Sequence, residues 1–126
     1  MEKLNIKYLK FNNNALLRSL DFYRIELGFM QERLQEIATD NTGRDVAIKI
    51  NYFEDQLIIH REQLDILKHR VHEIEDAIKQ QEIPSSVFIE KECVEAAEKL
   101  ADDFATEETI FSDLRKAFNR FAAEWM

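Results

Sequence analysis

The side chains with the greatest scope for chemistry are three histidines and one cysteine. His69 and His72 lie between Asp65 and Asp76, and the four residues are spaced at helical steps of four, three and four. One helix face could therefore present all four to a Zn²⁺ ion. A charged, solvated helix face explains the same spacing, and no group that would orient such ligands is identifiable. We predict no metal site and retain these four residues only as a candidate.

Cys93 is the single cysteine, which excludes an intramolecular disulfide and fits a reducing compartment. Its place in an apolar helix seam, with no histidine near it in sequence, favours a structural role over a nucleophilic one. The sequence has no glycine-rich phosphate loop, no nucleophile elbow and no Glu-x-x-His motif of the di-iron bundles. We expect no cofactor and no enzymatic activity.

The elements that position these residues must be long, because 126 residues include only two glycines and one proline, and turns need such residues. Two breaks are visible. The first is at residues 40–45, where Asn41 or Gly43 can take the left-handed conformation that ends a helix. The second is at residues 82–86, around Pro84. These breaks predict one domain with helices at about residues 3–39, 45–81 and 86–125.

Each predicted helix carries apolar residues at alternating steps of three and four, the seam of a coiled-coil-like bundle. Short loops impose antiparallel neighbours. The sequence therefore predicts an all-α fold, an antiparallel three-helix bundle shaped as a rod of long helices. Three asparagines at residues 12–14 disfavour helix, but the seam keeps its phase through them. We expect the first helix to be continuous.

Alignment of the seams about the two turns brings their polar members His60 and Glu107 to one height, together with Tyr23. We predict a buried polar layer in which Glu107 accepts hydrogen bonds from the imidazole and the phenol and fixes the register. The alternative is a small-ligand or metal-binding bundle, centred on His60 and Glu107 or on His69 and His72.

A second apolar stripe follows the first helix on the face opposite its seam, with a partial counterpart on the second helix. A single bundle covers only one face of each helix, so this stripe would be exposed, and large exposed apolar patches mark association sites. The alternative is that the first helix bends at the asparagines and packs the stripe internally. The predicted interface consists of Leu4, Tyr8, Phe11, Phe22, Ile25, Phe29, Tyr52, Ile59 and Ile66.

The net charge of −8 argues against nucleic acid as a partner, because binding phosphates needs a basic surface. The sequence contains neither a bilayer-length apolar run nor a basic segment that would anchor it to a membrane. These features predict a cytoplasmic chain. The leading hypothesis is a non-enzymatic interaction, scaffold or adaptor protein that forms a homodimer through the first helix. Its acidic third helix would remain available to a protein partner.

Overall fold

The computed structural model describes residues 6–81 and 91–125. It consists of three helices packed against each other, α1 (Ile6–Asp40), α2 (Arg44–Gln81) and α3 (Lys91–Trp125), with no strand in these residues. The predicted all-α three-helix fold is confirmed. The expected starts of the first and third helices, and the break at residues 82–86, lie outside the described residues.

Helix α1 is continuous through the three asparagines, as its unbroken seam predicted. The polar residues at positions 12–14 therefore do not bend the chain, because packing of the seam outweighs their low intrinsic helix propensity. Within residues 6–81 and 91–125 no helix covers its second face, where Phe11, Phe22 and Phe29 are exposed, which contradicts the alternative of a bent α1 that packs this stripe internally.

The turn between α1 and α2 differs from the prediction, because no described residue has a positive φ angle. Asn41 ends α1 with its side chain, whose Nδ2 donates to the carbonyl of Ile37 at 2.9 Å and to that of Trp125 at 3.3 Å. Gly43 immediately precedes α2, and its carbonyl accepts from the N–H of Ala47 at 3.1 Å. Side-chain capping replaces the predicted left-handed residue.

The polar contacts between helices give their directions. Asp21 and Gln31 of α1 contact Lys68 and Arg61 of α2 in reversed order, so these helices are antiparallel. Helices α2 and α3 are antiparallel as well, through the Lys49–Glu124 and Arg70–Asp103 ion pairs. Helices α1 and α3 are consequently parallel, with α3 in contact with both other helices.

The predicted seams form the hydrophobic core. Steps of three and four residues from Val46 to Ile78 define the seam of α2, and all ten of its residues are buried. They are Val46, Ile50, Phe53, Leu57, His60, Leu64, Leu67, Val71, Ile74 and Ile78. The partly exposed seam positions are Leu16 and Tyr23 on α1 and Ala97 and Trp125 on α3. Because these four positions belong to α1 and α3, packing is least complete between those two helices, and a groove remains there.

Among the described residues the core contains three polar side chains, Asn13, His60 and Glu107. Asn13 is only 2% exposed, and its Nδ2 has no hydrogen-bond partner within residues 6–81 and 91–125. An unsatisfied buried amide costs about 1–3 kcal/mol. His60 and Glu107, in contrast, satisfy each other, as described below.

Candidate functional site

The buried polar pair is formed by α2 and α3 at the middle of the bundle. Nδ1 of His60 donates to Oε2 of Glu107 at 2.6 Å, and the two side chains are 3% and 6% exposed. The imidazole ring is nearly perpendicular to the ring of Phe111, with the centroids 5.7 Å apart. The same height in both seams therefore does bring these two groups together, and the short hydrogen bond compensates for their burial.

The predicted hydrogen bond from Tyr23 to Glu107 is wrong. The Tyr23 hydroxyl instead donates to Oε2 of Glu108 at 2.7 Å, on the α1 side of α3. Glu107 and Glu108 are adjacent in sequence, and about 100° of helical rotation directs one towards α2 and the other towards α1. The polar layer thus consists of two separate contacts on either side of Phe111.

An ion pair between α1 and α3 lies beside Tyr23, and the sequence analysis did not predict it. Nε and Nη2 of Arg115 donate to both carboxylate oxygens of Glu26, at 2.6 and 2.5 Å. The guanidinium also lies 5.9 Å from the Tyr23 ring centroid and 5.1 Å from that of Phe111. Hydrogen bonding to Glu26 raises the pKa of Arg115. The sequence does show an acidic residue beside the α1 seam and a basic residue beside the α3 seam. It does not indicate that these two sides of the helices face each other.

Tyr23 should make stability depend on alkaline pH. Burial, and then the hydrogen bond to Glu108, raise its pKa from 10.0 to about 12. The unfolded chain therefore loses this proton first, and the free energy of unfolding should fall as pH rises from about 10 to 12. In Tyr23→Phe this fall should be smaller by about 1–2 kcal/mol, allowing for partial exposure of the ring. Urea titrations at pH 9, 10, 11 and 12 measure the difference, and parallel curves for both chains would contradict it.

The side of α3 that faces α2 also carries an ion pair above the buried polar pair. Nη1 of Arg70 donates to Oδ2 of Asp103 at 2.8 Å, and Lys99 approaches the other oxygen at 3.3 Å. The hydrogen bond from Arg70, followed by that from Lys99, lowers the pKa of Asp103. These contacts are typical of helix flanks and present no open coordination site.

The four candidate metal ligands do not form a metal site. Asp65 is bound by Arg24 of α1, and Nδ1 of His72 donates to Glu75 at 2.8 Å. His69 lies 3.8 Å from Glu73 and is 75% exposed. Within the described residues no three ligand-type side chains come together to hold a metal ion. The regular spacing reflects an exposed face of α2, on which all four side chains face solvent. Cys93 is buried in the core.

The interface residues predicted within the described chain are exposed large apolar side chains. We name the α1 members the α1 stripe, formed by Tyr8, Phe11, Phe22, Ile25 and Phe29. Their exposed fractions range from 57% to 65%. Leu4, the remaining α1 candidate, lies outside the described residues. The exposed α2 candidates are Tyr52, Ile59 and Ile66, at 53–54%.

The interface candidates of α1 and α2 do not all line one surface. Tyr8 lines a groove between α1 and α3, whereas Ile59 lines a depression between α2 and α3, beside Ile110. Tyr8 and Ile59 thus lie on opposite sides of α3. A row of polar contacts, including Arg24–Asp65, occupies the surface between α1 and α2. The α1 stripe is therefore a surface of its own.

Comparison of the chain with known protein families, curated proteins and solved structures finds no match. Across the helices of residues 6–81 and 91–125, no segment combines the length and apolar character needed to cross a bilayer.

Proposed function

We propose that this chain is a non-enzymatic interaction or scaffold protein that self-associates through the α1 stripe. The observation that carries the proposal is the exposure of five large apolar side chains along one face of one helix. Isolated exposed apolar residues are common on protein surfaces, but five large ones along one face of a single helix mark an association site.

The size of the α1 stripe supports a stable contact. Aromatic side chains, which are four of the five in the α1 stripe, bury roughly 150–250 Å² each when fully covered. The five residues, each more than half exposed, therefore offer on the order of 500 Å² per chain. Two copies reach about 1,000 Å², at which stable interfaces begin. Burial at about 25 cal/mol per Å² can offset the entropy lost on association. A second copy of the chain is a self-complementary partner for such a face.

The test is a pair of charge substitutions in the α1 stripe. Phe22→Glu combined with Phe29→Glu should convert a dimer into a monomer of unchanged helical content, because the contact loses two aromatic rings and the carboxylate at position 29 would be buried among apolar side chains. Sedimentation equilibrium at micromolar to tens of micromolar chain concentrations measures the mass, and circular dichroism measures the helicity.

The matched control is Ile58→Glu combined with Ile110→Glu. These residues are 50% and 49% exposed and lie outside the α1 stripe, so this chain should remain a dimer. A wild-type chain that is monomeric at tens of micromolar would overturn the proposal. Equal dissociation of the control would show that added charge, and not the α1 stripe, determines the result.

A further inference from the structure

The two halves of α1 carry opposite net charge. Residues 6–20 include three basic and no acidic side chains, whereas residues 21–40 include five acidic and two basic ones. The formal charges of the halves are therefore +3 and −3. Two copies of α1 in parallel orientation would place like charges together, whereas an antiparallel pair places each basic half beside an acidic one.

The surface beside the α1 stripe also differs between its two ends. At the amino-terminal end the groove between α1 and α3 has a volume of about 630 Å³. Small side chains line it on both helices, namely Ala15 and Ser19 on α1 and Ala97 and Ala101 on α3. At the other end Phe22 and Phe29 project, 58% and 65% exposed. A two-fold axis between these ends would place the projecting rings of each copy over the groove of the other.

Arg18 interrupts the α1 stripe between Phe11 and Phe22, and one antiparallel register gives this charge a favourable neighbour. Positions on opposed antiparallel helices pair in reversed order. With Phe11 opposite Phe29 of the second copy, Arg18 falls opposite Phe22 of that copy. A guanidinium can lie over such a ring, and Asp21 of the second copy is the next residue along. A register centred on Arg18 would instead bring the two Arg18 charges together.

On the basis of the proposed self-association, we infer that the partner is a second copy whose α1 lies antiparallel along the α1 stripe and over the α1–α3 groove. Ala15 then lies opposite Ile25 of the second copy. Helix α3 contributes the far wall of the groove through Ala97 and Ala101, so the contact involves two helices of each chain.

Mixed cross-linking tests the orientation. Two chains are prepared in the Cys93→Ala background, one with Ala15→Cys and one with Ile25→Cys, and carry tags of different size. After equimolar mixing and treatment with a short bismaleimide, cross-links between unlike chains should exceed those between like chains at least tenfold. Predominant like-with-like products would establish a parallel pair and overturn the inference, as would a dimer without cross-links.

The mass measurement separates this inference from the proposed function. If both cysteine variants are monomeric by sedimentation while the wild-type chain is a dimer, the cysteine substitutions disrupt the contact. The Ala101→Trp variant then tests the inference. If the wild-type chain itself is monomeric, the proposed function and this inference fail together. If the mass is that of a dimer and the cross-links join like chains, only the orientation is wrong.

Filling the groove tests the role of α3. Ala101 and Ala96 are both exposed, but Ala101 lines the α1–α3 groove, whereas Ala96 lies on the α2 side. Ala101→Trp should raise the dimer dissociation constant at least tenfold, because the indole occupies the space of the second copy. Ala96→Trp should leave it unchanged. Wild-type affinity in Ala101→Trp would show that the second copy does not enter the groove, and overturns the inference while self-association stands.

Discussion

Replacement of His60 by leucine should lower the free energy of unfolding by about 3–5 kcal/mol. The substitution leaves the Glu107 carboxylate buried, since its side chain is 6% exposed, and removes the donor that lies 2.6 Å from it. A buried charge without a partner costs far more than an exposed one. Urea denaturation at constant protein concentration measures the change.

Two further variants isolate the cause. Glu107→Gln keeps an acceptor for the imidazole N–H and should cost only about 1 kcal/mol. His60→Leu combined with Glu107→Leu leaves no buried charge and should be neutral or stabilising. If the double variant is as unstable as His60→Leu alone, the loss comes from the packing of leucine at position 60 and not from the stranded carboxylate.

The fold was predictable because it depends on one quantity, the period of apolar residues along each helix. Alternating steps of three and four give the seam regardless of which helix lies beside which. Pairing the seam positions about the two turns also predicts which residues lie at the same level along the bundle, and this pairing placed His60 beside Glu107. The unbroken seam also predicted a continuous first helix through residues 12–14, where low helix propensity alone would have predicted its end.

The arrangement of neighbours was not predictable, because a three-helix bundle can turn in either of two directions with the same seams. That choice decides whether an exposed residue of α1 lies near α2 or near α3. The sequence therefore could not separate Glu107 from Glu108 as the partner of Tyr23. For the same reason it could not show that Ile59 lies on the other side of α3 from the α1 stripe.

Truncation of Phe111 to alanine should have an effect as large as that of the His60 substitution. Phe111 is completely buried at the centre of α3, and its ring centroid lies 4.9 Å from that of Tyr23 and 5.7 Å from that of His60. The substitution loses the transfer free energy of the ring and leaves a cavity among side chains held by hydrogen bonds on both sides. A cost of about 3–5 kcal/mol follows, which is a large share of the 5–15 kcal/mol typical of a domain.

The adjacent residue provides the control for this prediction. Ile110 is 49% exposed, so Ile110→Ala should change the free energy of unfolding by no more than about 0.5 kcal/mol. Because self-association would add a concentration-dependent contribution, both variants are best measured in the Phe22→Glu and Phe29→Glu background. Urea denaturation followed by circular dichroism gives the two values. Equal costs at positions 110 and 111 would mean that α3 is rotated about its axis, and the assignment of Glu107 to α2 and Glu108 to α1 would fail with it.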